Sequence, residues 1–168
     1  LYDSAFSLGL HKLGRWEREL LEYTALLHDI GAFLSYQNHQ NHTFYLIHNA
    51  DLLGFDQKET AIMALAGLHH RKGLPTQNEN EFLSLDQDSQ TAVRVMSMML
   101  HLAESLDRGH VGAVHRARFI LGEGDTIILE VFSNQDCQLE LWGVQNHLAE
   151  FEKAFNRPLL VRLAGAAS

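Results

Sequence analysis

Residues 26–31 read LLHDIG, which places His28 and Asp29 at the end of a strongly apolar helical pattern. Leu21, Ala25 and His28 follow i, i+4, i+7 spacing, so the imidazole continues the face of the helix that points inward. A charged side chain such as that of Asp29 costs free energy at a buried position unless a partner neutralises it. The segment therefore predicts a buried polar site at the end of a core helix.

Later segments offer further imidazoles and one carboxylate, each at or beside an apolar stripe of a predicted helix. One such histidine alone is more often a hydrogen-bonded core residue than a ligand. The whole set is ordered and helical, however, and one kind of partner, a divalent metal, would satisfy all of its members. The predicted metal ligands are His28, Asp29, His42, His69, His70 and Asp107.

The order His-Asp, His, His-His, Asp resembles the HD-domain superfamily of metal-dependent phosphohydrolases. The stretches ERELLEYTALLHDIGAFLSYQNHQNHTFYLIHNADLLGF, ALAGLHHRKGLP and LHLAESLDR resemble more specifically the C-terminal region of the exopolyphosphatase and guanosine pentaphosphate phosphohydrolase family. This resemblance covers most of residues 11–110. It implies an HD-type helical domain whose substrates are phosphate-containing small molecules or polyphosphate.

Two departures from the family pattern affect this interpretation. HD domains usually carry a first ligand histidine well before the His-Asp pair, whereas His11 is too near and lies in a loop-like sequence. That ligand is therefore absent or lies upstream of Leu1. The resemblance also implies that the family's phosphatase chemistry belongs to two N-terminal domains, and their glycine-rich phosphate loops are not recognisable here. The chain thus resembles the C-terminal part of a longer protein.

Histidine and carboxylate ligands suit Mn²⁺, Fe²⁺, Ni²⁺ or Zn²⁺, and Mg²⁺ less well. One or two ions are expected, with Asp29 as the natural bridge between two. In the two-ion arrangement, the first ion binds His28, Asp29 and Asp107, and the second binds His42, His69 and His70. Alternatively, one of the last two histidines is a general acid, so the predicted catalytic residues are Asp29, His69 and His70.

Three cations directly follow predicted ligands, namely Arg71, Lys72 and Arg108. They are the predicted substrate-binding residues, because they could neutralise phosphate oxygens at the mouth of the site. The alternative is purely structural, since the helix macrodipole favours cations at helix C-termini.

Two functions stay open at this point. The first is a metal-dependent phosphohydrolase. The second is a non-catalytic regulatory module that binds polyphosphate or a guanine nucleotide, or mediates homodimerisation, for phosphatase domains outside this chain. The complete ligand set favours the first, and the missing early histidine favours the second.

The composition of the chain argues against two kinds of binding partner, nucleic acids and membranes. The net charge of −8 argues against a nucleic-acid-binding surface, and the longest apolar runs are too short to cross a membrane. The single cysteine, Cys137, forms no internal disulfide, which agrees with a cytoplasmic location.

The predicted fold class is α+β, with an all-helical domain at residues 1–110 and a small β-β-β-α-β unit at 111–168. Helices are expected over 15–30, 42–53, 57–72 and 88–108, with a polar linker at 76–84. Alternation over 114–121 and 126–132 predicts a hairpin. Further strands are predicted at 138–142 and 158–163, separated by an amphipathic helix.

Overall fold

A computed structural model describes residues 1–164 and shows helices followed by a small sheet. The α+β fold class is therefore confirmed. In the described residues the elements are α1 Tyr2–Ser7, α2 Arg15–Leu27, a 3-10 helix Ile30–Phe33, α3 His39–Asn49, α4 Gln57–Lys72, α5 Asn80–Leu83, α6 Gln87–Leu106, β1 Val114–Leu121, β2 Ile127–Ser133, α7 Gln138–Gln145, α8 Leu148–Phe155 and β3 Leu159–Ala164.

The helix α4 lies at the centre of the helical part. It begins as predicted at a capping box, in which Asp56 accepts the backbone N–H of Glu59 and Glu59 accepts the backbone N–H of Asp56. Its residues from Ile62 to His70 are all buried, because α2 and α3 pack against it. The surrounding apolar core also includes Leu20 of α2 and Ile47 of α3.

The segment 76–84 differs from the predicted polar linker. It contains the short helix α5, whose Phe82 is completely buried in the helical core. The buried Phe82 ring thus anchors a stretch that is otherwise mostly polar, so this segment is a packed part of the fold.

The predicted hairpin is confirmed, since β1 and β2 pair antiparallel. The strand β3 pairs parallel to β2 on its other side, giving the order β1-β2-β3 for the described strands. One sheet face is packed against α8, where the rings of Phe119 and Phe151 lie 5.5 Å apart.

The strand predicted at 138–142 is wrong, because these residues form the first part of α7. The alternation QLELW covers only five residues, too few to separate a two-residue from a 3.6-residue period. In the helix, Glu140 is buried and accepts the backbone N–H of Gly109, while Leu139 and Trp142 are about half exposed. The residue that faces inward in this segment is thus the hydrogen-bonded Glu140, and the apolar residues Leu139 and Trp142 do not form a buried strand face.

The chain divides into two compact units. One is Leu13–Leu100, and the other combines Leu1–Lys12 with the chain from His101 onward. Residues 165–168 of the predicted C-terminal unit lie outside the described residues. No helix in the described part of the chain is long and apolar enough to cross a membrane.

Candidate metal centre

The LLHDIG segment forms a tight turn at the end of α2. Gly31 is buried there against α3, and a Cβ atom at this position would lie 2.1 Å from the carbonyl oxygen of His39 and 2.4 Å from the backbone nitrogen of Thr43. Thr43 fastens the turn, because its hydroxyl donates to the carbonyl of His28 at 2.8 Å and accepts the N–H of Gly31 at 3.0 Å. Only glycine allows this approach, which brings the His-Asp pair against α3.

The carboxylate of Asp29 is surrounded by imidazole nitrogens. Its Oδ1 lies 2.9 Å from Nε2 of His39 and 3.3 Å from Nε2 of His70, and its Oδ2 lies 3.5 Å from Nε2 of His28. The Nε2 atoms of His39 and His70 are 3.1 Å apart. The donor atoms of His28, Asp29 and His70 lie within 4.8 Å of one another, and His39 adjoins two of these residues. The four residues are called the Asp29 cluster below.

The opposite nitrogens of the three rings fix their orientation. Each Nδ1 contacts a backbone carbonyl, and a carbonyl oxygen only accepts hydrogen bonds. Each Nδ1 therefore bears a hydrogen, and each Nε2 faces Asp29, the orientation that histidines have when they bind a metal through Nε2. The contacts are Nδ1 of His28 to the oxygen of Ala25 at 2.7 Å, of His39 to Tyr36 at 3.1 Å, and of His70 to Gly67 at 2.6 Å.

This arrangement favours a bound cation. The Nε2 atoms of His39 and His70 lie 3.1 Å apart beside a carboxylate, and a shared proton or a metal ion would satisfy them. Burial is the largest cause of the lowered pKa of His70, and His28 and His39 lower it further, against the raising effects of the Gly67 carbonyl and Asp29. The lowered pKa disfavours a proton on this ring, which makes a metal ion a candidate partner for these donors.

The distances also fit a metal. Divalent ions bind imidazole and carboxylate donors at about 2.1 Å, so neighbouring donors around one ion are about 3.0–3.4 Å apart. The contacts that Asp29, His39 and His70 make with one another span 2.9–3.3 Å. The cluster could accept an ion with movements of only a few tenths of an ångström, roughly the scatter of such sites.

His39 was not among the predicted ligands, and the structure places it where His42 was expected. The helix α3 begins at His39, after Asn38 in a left-handed conformation, so it starts earlier than the sequence pattern suggested. The buried stripe of α3 is His39, Thr43 and Ile47, with i, i+4, i+8 spacing. His42 is only partly buried and lies outside the Asp29 cluster. The stripe beginning at His39 was the signal that could have identified this candidate ligand.

His69 lies next to a cluster member on α4 but points elsewhere, since adjacent helical residues are about 100° apart. Its Nδ1 donates to the carbonyl of Gly73 at 2.6 Å, and its Nε2 lies 2.9 Å from Oε2 of Glu79. Burial lowers its pKa, although Gly73 and Glu79 act in the opposite direction. Glu79 also accepts the N–H of Thr76 and lies 4.0 Å from Nζ of Lys72. His69 thus anchors the loop after α4.

Asp107 and Arg108 belong to the other compact unit. The Asp107 carboxylate is largely exposed and lies 3.5 Å from Nδ1 of His110. The guanidinium of Arg108 stacks over the Trp142 ring, 5.2 Å from its centre. Neither residue belongs to a possible metal-ligand group in the described chain.

Arg71 is the predicted substrate-binding cation with a structural link to the cluster. Its guanidinium carbon lies 5.9 Å from the centre of the exposed Tyr36 ring. That ring stacks on the ring of His39 at 5.5 Å. A positive charge and an exposed aromatic face therefore adjoin the donor atoms.

Two kinds of comparison relate this chain to known proteins. The family model described as Ppx/GppA phosphatase, domain III, matches residues 8–150. The guanosine-5'-triphosphate,3'-diphosphate pyrophosphatase of Vibrio vulnificus (strain YJ016) is 29% identical over 140 residues, which cover 82% of this chain and 26% of that protein. The protein of the same name from Vibrio parahaemolyticus serotype O3:K6 (strain RIMD 2210633) is 29% identical over 112 residues, covering 67% of this chain and 22% of its own.

These matches place the chain in a class of phosphohydrolases. It belongs to the Ppx/GppA phosphatase family, and the matched part is domain III. The chain spans about a quarter of the length of these two relatives.

Proposed function

We propose that the Asp29 cluster binds one divalent metal ion and that this chain acts with it in the hydrolysis of a phosphate anhydride. The observation that supports this most strongly is the convergence of three Nε2 atoms on the Asp29 carboxylate. The donor set of three imidazoles and one carboxylate fits Mn²⁺, Fe²⁺, Ni²⁺ or Zn²⁺ better than Mg²⁺. One ion is proposed, because two of the ligands predicted for a pair of ions, His69 and Asp107, have other surroundings.

In this proposal the protein holds its donors ready before any ligand arrives. The backbone carbonyls fix the three rings, and Thr43 fixes the turn that presents Asp29. The Asp29 side chain is 55% exposed, so the cluster is open to an approaching phosphate. A divalent ion supplies Lewis acidity towards a phosphoryl oxygen. Arg71 adds a positive charge beside the cluster that can pair with the remaining phosphate oxygens.

The proposed substrate class is a phosphate anhydride of the guanosine polyphosphate or polyphosphate kind. Both Vibrio relatives are named for guanosine-5'-triphosphate,3'-diphosphate. The exposed Tyr36 ring beside Arg71 offers a surface on which a nucleobase could stack. The chain works in this proposal as one part of a longer cytoplasmic phosphatase, and the division at residue 110 and the homodimer remain predictions.

The test measures metal content and phosphate release on the purified chain. We expect about one equivalent of Mn²⁺, and release of phosphate from guanosine-5'-triphosphate,3'-diphosphate that EDTA abolishes. His39→Ala should remove both properties. His42→Ala is the matched control, since His42 lies on the same helix outside the cluster. Loss of metal in the control but not in His39→Ala would contradict the proposed ligand set.

A second candidate is metal-dependent binding without hydrolysis. It is favoured by His69, one of the two histidines predicted as a possible general acid, whose ring nitrogens are both engaged by Gly73 and Glu79. In that case the same nucleotide should bind only with Mn²⁺ present, and no phosphate should be released. Equilibrium binding in the presence and absence of EDTA, alongside the phosphate assay, separates the two functions.

A further inference from the structure

A second group of possible metal ligands lies in the unit that begins again at His101. It consists of His101 on α6, His147 directly before α8, and Glu150 on α8, and is called the His101 cluster below. Nδ1 of His147 lies 2.8 Å from Oε2 of Glu150, and Nδ1 of His101 lies 3.2 Å from the same oxygen. The cluster shares no residue with the Asp29 cluster.

Tertiary packing, not local sequence, brings these residues together. His147 and Glu150 are three residues apart, and their contact alone would be an ordinary helix-start interaction. His101 comes from a different helix and is only 1% exposed, yet its ring stacks on that of His147 with centres 4.8 Å apart and planes 26° apart. The stacking turns the same nitrogen of both rings towards one carboxylate oxygen.

This geometry suits chelation of a transition metal. Two imidazole nitrogens and one carboxylate oxygen lie within 4.8 Å of one another. Donors around a tetrahedral ion with bonds of about 2.1 Å are about 3.4 Å apart, so a small opening of the two N···O contacts would admit one. Three protein donors leave a fourth position, and His147 and Glu150 are partly exposed, which gives an ion a route from solvent.

We propose that His101, His147 and Glu150 form a second metal site, specific for Zn²⁺ or a similar borderline ion. Two nitrogen donors disfavour Mg²⁺ and Ca²⁺, which prefer oxygen. The bound ion would link α6 to the start of α8 within this unit. It would stabilise the folded chain in proportion to free metal, as ligands that bind only the folded state do.

The experiment uses the full chain with Asp29→Ala, which weakens the first cluster by removing its carboxylate, and variants of the His101 cluster in this background show which bound Zn²⁺ belongs to the second site. Zn²⁺ is titrated with Mg²⁺ as the negative control, and bound metal and melting temperature are both measured. We expect about one equivalent of bound Zn²⁺, a higher melting temperature with Zn²⁺, and no response to Mg²⁺. Adding Glu150→Gln should weaken Zn²⁺ binding at least tenfold, because an amide is a much poorer ligand than a carboxylate.

The matched control is Asp29→Ala with His115→Ala, which removes an exposed histidine of β1 in the same unit. It should bind Zn²⁺ as Asp29→Ala alone does. His147→Ala, made in place of Glu150→Gln, is a second variant that should lose Zn²⁺ binding. Circular dichroism shows whether each variant folds, so one can replace the other if it folds poorly. Absence of Zn²⁺ binding in Asp29→Ala would overturn the second site. So would Zn²⁺ binding that stays as strong as in Asp29→Ala alone after either Glu150→Gln or His147→Ala is added. The chain with His147→Ala alone still reports on the Asp29 cluster, so the two proposals can fail separately.

Discussion

Two carboxylates in this protein have their negative charge balanced by different kinds of side chain. Glu130, in the middle strand of the sheet, is only 8% exposed and is held by the guanidinium groups of Arg118 and Arg162. Asp29 is surrounded by the imidazoles of the Asp29 cluster. Arginine is always charged, whereas a buried imidazole is easily neutral.

The difference separates a finished ion pair from a ligand set. The guanidinium of Arg162, followed by that of Arg118, holds the pKa of Glu130 below its ordinary value, so its charge is neutralised within the protein. Around Asp29, burial lowers the pKa of His70, so the imidazoles are weaker partners for the negative charge than guanidinium groups. The first arrangement is complete in itself, and the second is the one for which we propose an added metal ion.

The largest effect should follow from Gly31→Ala. The new Cβ would collide with the backbone of α3 at His39 and Thr43, and backbone atoms cannot move aside as a side-chain end can. We expect a loss of about 3 kcal/mol or more in the free energy of unfolding, together with loss of metal binding. Urea denaturation measures the first and metal analysis the second. Ala32→Ser, at an exposed neighbouring position, is the control and should change stability by less than about 0.5 kcal/mol.

The next effect concerns the charge at the centre of the Asp29 cluster. Asp29→Asn keeps the shape of the side chain but removes its negative charge. Metal affinity should fall about 100-fold, which corresponds to about 2.7 kcal/mol of binding free energy. Isothermal titration with Mn²⁺ checks this. An affinity within a factor of about three of that of the unaltered chain, or less than about 0.7 kcal/mol of binding free energy, would show that Asp29 is not a ligand.

A smaller effect is expected from Glu130→Gln, with a defined dependence on pH. The folded pKa of Glu130 lies below its ordinary value of 4.5, so its contribution to stability is present above that value and is lost as pH falls through the folded pKa. The variant should be less stable by about 1 kcal/mol at pH 7. That gap should close on acidification, as urea denaturation at several pH values would show.

The metal content of Glu130→Gln should be unchanged, which distinguishes it from Asp29→Asn. Glu123→Gln, in the exposed turn of the hairpin, is the matched control and should show no such gap. A stability difference between Glu130→Gln and the unaltered chain that stays constant down to strongly acidic pH would contradict the ion-pair explanation.

The smallest effect is expected from Asp107→Ala. Its carboxylate is largely exposed and lies 3.5 Å from Nδ1 of the exposed His110. Stability should change by less than about 0.5 kcal/mol. Metal affinity should stay the same, and a substantial loss would restore Asp107 to the ligand set.

The sequence alone identified features whose cause is local. The Asp56 capping box and the helix α4 follow from residues close together in the chain, and so does the hairpin of β1 and β2. The burial of His70 on α4 could likewise be inferred from helical spacing. In each case the pattern of apolar residues or the capping residues lie within a few positions of one another along the chain. The spacing through Ala25 to His28 was a poorer guide, because Ala25 and Asp29 are exposed and the buried residues of α2 are Leu20 and Thr24.

Tertiary structure alone decided which neighbouring side chains meet. His69 and His70 are adjacent and equally buried, and only the packing of α3 against α4 shows that His70 reaches Asp29 while His69 reaches Glu79. The choice of His39 in place of His42 depended on where α3 begins. Spacing along a helix specifies an angle around its axis, but the partner found at that angle belongs to another part of the chain, and its distance is fixed only when the core packs.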